Sequence, residues 1–426
     1  MMAKVLKIYV LSLFLGILTG TLGSLFQLAI AALDQQLILL YQWLASHGWH
    51  QGLVSGVVSM CMVFLAWLSV RYLAPEAAGS GVPEIEGALL HVRPIFWKRL
   101  LPVKFISGVL AISAKMVLGR EGPTIQMGGN LGEMLGRYFS LSRLRRDALI
   151  GAGAAAGLAT AFNAPLAGVL FVMEEMRNQF NFSFTNFKIV LICCVTATVM
   201  LHLIIGPQAA IPMAVFNLPS LPSLFLFFIF GIVVGLVGLL FNNSLMWILS
   251  VLDKLNPRYI PYYVLFVGFG VGYLAYLYPP TVGGGYAIIG QTSTYSPGFS
   301  ILVLLIAIRF ITSIVSYSTG VPGGIFAPML ALGTLLGLTA FQIVHFLHLD
   351  ISVQAGMFAV AGMGALFAAI VRSPITGVVL VVEMTQNYSL ILPLMVTCIT
   401  STTVVQLARN KPIYTQLLVR ARRLGH

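Results

Sequence analysis

Four places in this sequence join residue types and spacings that can do chemistry. Glu121 stands in GREGP (119–123), between an arginine and a Gly-Pro break. Glu174 and Glu175 form an adjacent acidic pair at the end of an apolar run. Ser80 lies in GSGVPE (79–84), and Tyr414 closes NKPIY (410–414). The loops 79–84, 119–128 (GREGPTIQMG) and 320–328 (GVPGGIFAP) share a second property: Gly and Pro precede or open a short apolar helix. Such helix starts expose backbone N–H groups and a partial positive charge, which suits an anion without needing a lysine. Each feature also has a plain structural reading. Ser80 can cap its own helix, and Tyr414 can be an interfacial belt residue. Glu174 and Glu175 can answer Arg177 at an exposed helix end. Glu121 can pair with Arg120, although neighbouring residues on a helix do not face each other.

The elements that must position these residues are membrane helices. Of 426 residues, 58% are apolar and 8% charged, against about 25% charged in soluble domains, so the surface cannot be that of a soluble protein. Long continuous apolar runs exclude the alternating ten-residue segments of a β-barrel. The net charge of +12 collects at Lys4 and Lys7, at Arg143, Arg145 and Arg146, and at Arg409, Lys411, Arg420, Arg422 and Arg423. That pattern reads as the positive-inside rule with both termini cytoplasmic, rather than as a nucleic-acid surface. A carboxylate at membrane depth, as Glu121 would be, is a functional candidate by default. Cys61, Cys193, Cys194 and Cys398 lie in apolar runs and read as buried free thiols. His345 and His348 lack the partners of a metal site, and no cofactor is expected.

The first transmembrane helix is expected to run to about Leu33, since no cleavage site marks it as a signal peptide. Further spans fall near 52–74, 98–118, 188–206, 223–251, 260–278, 298–319 and 386–408. Shorter apolar pieces, at 123–138, 148–162, 165–174, 328–346, 354–370 and 374–384, are broken by Gly and Pro. Such breaks are tolerated at membrane depth only where protein buries them or they line a cavity. The breaks recur. Residues 152–174 match 361–383, placing Pro165 on Pro374, Gly168 on Gly377 and Glu174 on Glu383. Pro123, Gly128 and Gly132 match Pro328, Gly333 and Gly337, and Pro75 with Gly79–Gly81 matches Pro279 with Gly283–Gly285. The chain therefore divides into two homologous halves, roughly 1–205 and 206–426, a mark of transporter folds.

With these residues in hand, GSGVP, GREGP, GGIFAP, the duplicated Ala/Gly/Pro region and NKPIY together resemble the signature segments of the CLC family of chloride channels and chloride/proton antiporters. The resemblance runs from about residue 7 to residue 423. It implies an all-α membrane fold of two inverted repeats of tilted, broken helices, assembled as a homodimer with one anion pathway per subunit. By that resemblance Ser80 and Tyr414 hold the central chloride with hydroxyls, and the backbone N–H groups of Ile325 and Phe326 complete the site. Glu121 resembles the gating glutamate, which occupies the anion path when charged and leaves it when protonated. Glu175 resembles the internal proton-transfer glutamate, and Glu174 would line the water route to it. Lys104, in LPVKF, resembles a lysine near the anion path, with snorkelling to the interface as the rival reading.

The resemblance implies a bacterial chloride/proton antiporter of the inner membrane, not an enzyme; no HExxH, GxSxG or paired intramembrane aspartate suggests catalysis. A passive chloride channel of the same fold is the first alternative, against which Glu175 argues. A fluoride/proton antiporter is the second, against which the serine of GSGVP argues. The family's N-terminal cytoplasmic helix is expected to be absent or truncated, and no cytoplasmic regulatory domain is expected after NKPIY.

Overall fold

The structure is a computed structural model that describes residues 2–180, 183–217, 219–290, 297–349 and 352–424. It is helical, and among the described residues the only β-type pairing is an isolated bridge between Gly119 and Gly324. The first half comprises α1 (Met2–Ser46), α2 (Gln51–Leu73), α3 (Val82–Leu89), α4 (Trp97–Ser113), α5 (Glu121–Tyr138), α6 (Arg143–Phe162), α7 (Pro165–Glu174) and α8 (Phe184–Ile204). The second comprises α9 (Leu224–Lys254), α10 (Ile260–Leu277), α11 (Tyr286–Gly290), α12 (Phe299–Ser318), α13 (Phe326–Phe346), α14 (Ala355–Val371), α15 (Pro374–Thr385) and α16 (Ile391–Leu407). A last helix, α17 (Ile413–Arg423), has no counterpart in the first half.

Among the described residues, eight helices are long and apolar enough to cross a membrane: α1, α2, α8, α9, α10, α12, α13 and α16. The packing repeats with the order of the elements. α5 packs on α6 as α13 does on α14, α1 on α8 as α9 on α16, and α6 on α7 as α14 on α15. Equivalent helices also meet each other, α2 with α10 and α7 with α15.

The breaks have the same local cause in both halves. α6 ends where Asn163 turns left-handed (φ 52°), and α14 ends where Arg372 does the same (φ 73°). Two residues later Pro165 and Pro374 open α7 and α15, where a missing N–H costs nothing. α6 and α14 form the centre of the fold, buried from Ala148 to Phe162 and from Gly356 to Val371. Close approach explains their small residues. A Cβ on Gly128 would sit 2.0 Å from the Gly153 carbonyl oxygen, and one on Gly333 would sit 2.3 Å from that of Gly362. Only glycine lets these backbones touch.

Several sequence expectations change. The span expected near 98–118 is the 17-residue α4, which is not among the eight, whereas the piece at 328–346 belongs to α13, which is. α1 does not end near Leu33 but continues to Ser46, and within it Asp34 pairs with Lys115 at 2.6 Å. Cys61 is exposed rather than buried, whereas Cys193, Cys194 and Cys398 are buried as expected. The short helices α3, α11 and α17 lie outside the spans read from hydropathy, because each is too short or too amphipathic to register as an apolar run.

Candidate functional site

The three Gly/Pro loops converge on one place. Gly119 and Gly324 exchange backbone hydrogen bonds of 2.7 and 2.8 Å, and the Gly323 N–H donates to the Gly79 carbonyl at 3.0 Å. This stitching brings together the loop before α3 and the starts of α5 and α13. Gly81 holds a left-handed conformation (φ 86°) at the N-cap of α3 and lies against Gln126, so a side chain there would be both strained and blocked.

Two buried cations hold the loops in place. Lys104 is fully buried, and its Nζ donates to the carbonyls of Ala77 (2.9 Å) and Gly79 (2.7 Å). It does not snorkel. Its counterpart, Arg309, is equally buried and donates to Pro280 (2.7 Å), Val282 (3.0 Å) and Gly283 (2.7 Å). In each half a cation gathers loop carbonyls, one of which (Gly79) also accepts from the Gly323 N–H, and this fixes the turn ahead of the helix start.

Ser80 and Tyr414 meet at this centre. Both are buried, at 1% and 0% exposure, which removes the interfacial-belt reading of Tyr414. Their hydroxyls are neighbours, yet among the described residues no sound hydrogen bond joins them or satisfies either. Ser80 Oγ therefore does not cap α3; it faces the start of α5, close to Gly122. A buried polar atom without a partner is costly, so two together point to a ligand of acceptor character. Tyr414 is delivered by α17, which buries Ile413, Tyr414, Leu417 and Leu418. Its ring stacks on Phe326 at 5.9 Å, and Phe326 also packs against Phe171 and Phe367. The N–H groups of Ile325 and Phe326 sit at the cap and first position of α13 and donate to no backbone carbonyl.

A cavity of about 730 Å³ leads from the surface to Gly79, Ser80 and Gly81. Arg71, Arg93 and Arg420 line it together with Glu84 and Asp253. Two of these arginines are paired, Arg93 with Glu84 at 2.6 Å and Arg420 with Asp253 at 2.8 Å.

Glu121 is the first residue of α5 and fully buried. It is not engaged with Arg120 as an ion pair. Instead the Tyr286 hydroxyl donates to its Oε1, while the N–H of Ala327, in the first turn of α13, approaches the carboxylate. Among the described residues its Oε2 finds no partner of good geometry, and it lies over Gly119, where a Cβ would collide with it.

The acidic pair separates into two tasks. Glu175 accepts from the Ser373 hydroxyl at 2.9 Å and lies within electrostatic reach of Glu86, a buried carboxylate of α3 without a hydrogen-bond partner among the described residues. Glu174 accepts from the N–H groups of Ile375 (3.2 Å) and Thr376 (2.7 Å), capping α15. Its repeat mate Glu383 does the same for α7, accepting from Leu166 (3.1 Å) and Ala167 (2.8 Å). Neither Glu174 nor Glu175 forms an ion pair with Arg177 among the described residues. Both Glu121 and Glu175 act electrostatically on the Tyr414 hydroxyl. Among the described residues no group of three or more His, Cys, Asp or Glu is placed to hold a metal.

Sequence reasoning missed Tyr286, Ser373 and Glu86. Comparing the halves position by position could have found them, since their repeat mates are Val82, Ala164 and Gly290.

Paired half-folds whose broken helices point their starts at a buried, unsatisfied polar centre define an integral membrane transport protein rather than an enzyme. The chain belongs to the voltage gated chloride channel family, whose model matches residues 61–406. It is 43% identical over 420 residues to the H(+)/Cl(-) exchange transporter ClcA of Vibrio cholerae serotype O1, covering 96% of this chain and 88% of that one. The corresponding exchange transporter of Yersinia pestis bv. Antiqua is 42% identical over 97% of this chain. Among solved structures, a slow cyanobacterial Cl-/H+ antiporter superposes with a TM-score of 0.93 at 39% identity, covering 97% of this chain and 98% of the other. A CLC-type fluoride/proton antiporter superposes with a TM-score of 0.77 at 20% identity and shares the fold.

Proposed function

We propose that this protein exchanges chloride for protons across a bacterial inner membrane. The observation that carries the reading is the pair of buried hydroxyls without a partner among the described residues, Ser80 at the head of the cavity and Tyr414 beside it, within electrostatic reach of Glu121 and Glu175. Chloride is held by those hydroxyls and by the N–H groups of Ile325 and Phe326 at the start of α13. Relatives named as exchange transporters at 42–43% identity support the same choice of ions.

Glu121 is the gate. As a carboxylate it occupies the N-terminal end of α13 and excludes chloride; neutralised by a proton, it yields that place. Glu175 passes protons between the solvent near α7 and the centre. Glu174 sits beside this route, but its geometry supports a helix-capping role. The repeats divide near residue 205 and are inverted with respect to one another. Both termini are cytoplasmic, which puts the arginine-lined cavity on the cytoplasmic side, and the active form is a homodimer.

The test is flux from reconstituted vesicles. A chloride gradient should drive protons uphill through the wild-type protein. Glu175→Gln should keep chloride flux and lose proton movement, and Glu121→Gln should lose both coupling and pH dependence. Chloride flux in the wild type without proton movement would replace the antiporter with a passive channel.

A further inference from the structure

The contact that singles out Glu121 comes from the other half of the chain. Tyr286 opens α11, directly after the Gly283–Gly285 turn that Arg309 holds. Its hydroxyl donates to Glu121 Oε1, and the Arg120 guanidinium lies over its ring at 4.9 Å to the centroid. The ring is thus fixed on one face by a cation while its hydroxyl reaches a carboxylate that is otherwise short of donors. Building on the gate role of Glu121, we propose that Tyr286 is a positioning residue that latches the gate closed and sets both the pH at which it opens and the rate of exchange.

The physical basis is a difference between two protonation states. A phenol bound to a carboxylate makes a charge-assisted hydrogen bond; bound to a neutral carboxyl it makes a weaker one. Tyr286 keeps its own proton throughout, and the proton that neutralises Glu121 arrives from water or along the proton route. The latch therefore favours the closed, charged gate and lets go when the charge is lost. The charged and titratable groups facing Glu121 are Arg120 at its own helix start, Tyr286 from α11 and Tyr414 from α17; α13 offers the Ala327 amide. Among the described residues, α1, α3, α4 and α6, which also pack on α5, bring no titratable group to it. At the equivalent place in the first half stands Val82, so the phenol is not required by the repeated backbone.

Tyr286→Phe deletes the hydroxyl and keeps the ring under Arg120. In vesicles its chloride turnover at neutral pH should rise about fivefold, and the midpoint of its pH–flux curve should move about one unit to the alkaline side. Placed on Glu121→Gln, the same change should add nothing. Wild-type turnover and an unmoved midpoint in Tyr286→Phe would overturn the latch, as would a full effect surviving in the double variant. Tyr286→Leu should shift the midpoint by the same amount as Tyr286→Phe; a shift with Leu alone would make the contact mere packing. If Glu121→Gln itself keeps a normal pH profile, the gate assignment fails instead, and that outcome is distinct from a silent Tyr286→Phe.

Discussion

The starts of α5 and α13 occupy equivalent places in the two halves and are joined by one pair of backbone hydrogen bonds, yet they carry different side chains. α5 begins with Glu121, and α13 begins with Phe326. The same contrast recurs at Ser80 against Gly284 and at Glu175 against Met384. Other pairs keep one task in both halves: Lys104 and Arg309 gather loop carbonyls, Glu174 and Glu383 cap each other's neighbouring helix, and the glycine pairs let backbones touch. What the duplication retained holds the scaffold. Where the halves diverged, the polar side chains of the site sit: Ser80, Glu121 and Glu175 come from the first half, and Tyr286, Ser373 and Tyr414 from the second.

Several substitutions can break or sharpen this division. The largest effect is expected at the crossings of α5 with α6 and α13 with α14. Gly128→Ala and Gly333→Ala should each cost about 3 kcal/mol or more, because the new methyl meets a carbonyl rather than a flexible side chain. Yield of monodisperse protein and thermal unfolding in detergent measure this, and a tolerated change in one half alone would break the symmetry. Next come the buried cations. Arg309→Met should lower stability by about 3 kcal/mol and Lys104→Met by about 1–2, since the former leaves three carbonyls unpaired and the latter only that of Ala77, Gly79 keeping the Gly323 N–H. An inverted order in thermal melts would mean that charge, not carbonyl count, governs the cost.

Glu174→Ala and Glu383→Ala should each cost about 1–2 kcal/mol as paired caps of helix starts, with proton coupling per chloride unchanged. Vesicle flux decides: if Glu174→Ala loses coupling and Glu383→Ala does not, Glu174 joins the proton route. The smallest effect belongs to a contact with no counterpart. The partly exposed Arg420–Asp253 pair joins α17 to α9, and Asp253→Asn should change stability by about 0.5 kcal/mol.

Much of this was legible in the residues. Apolar run length located most of the long helices to within a few residues, though it stopped α1 at Leu33 rather than Ser46 and read α13 as a short piece; the repeated Pro and Gly positions marked the breaks at Pro165 and Pro374. The candidate residues Ser80, Glu121, Ile325, Phe326 and Tyr414 come together at one centre, as their loops suggested. What stayed hidden depends on contacts distant in the chain. Lys104 reads equally well as a snorkelling lysine until the carbonyls of Ala77 and Gly79 are placed around it. Glu174 looks like half of an acidic pair, because nothing local says that Ile375 and Thr376 present their N–H groups to it. Tyr286 sits in a five-residue helix that hydropathy cannot resolve.

The bridge between Gly119 and Gly324 also constrains how the protein comes to exist. Its partners lie about 200 residues apart, so the entropy of closing that loop must be met before either hydrogen bond forms. The first half can insert and pack α5 on α6 while the ribosome is still making α13. The centre itself cannot assemble until the second half arrives. A partly made chain therefore has helices packed in pairs but lacks the joined starts of α5 and α13.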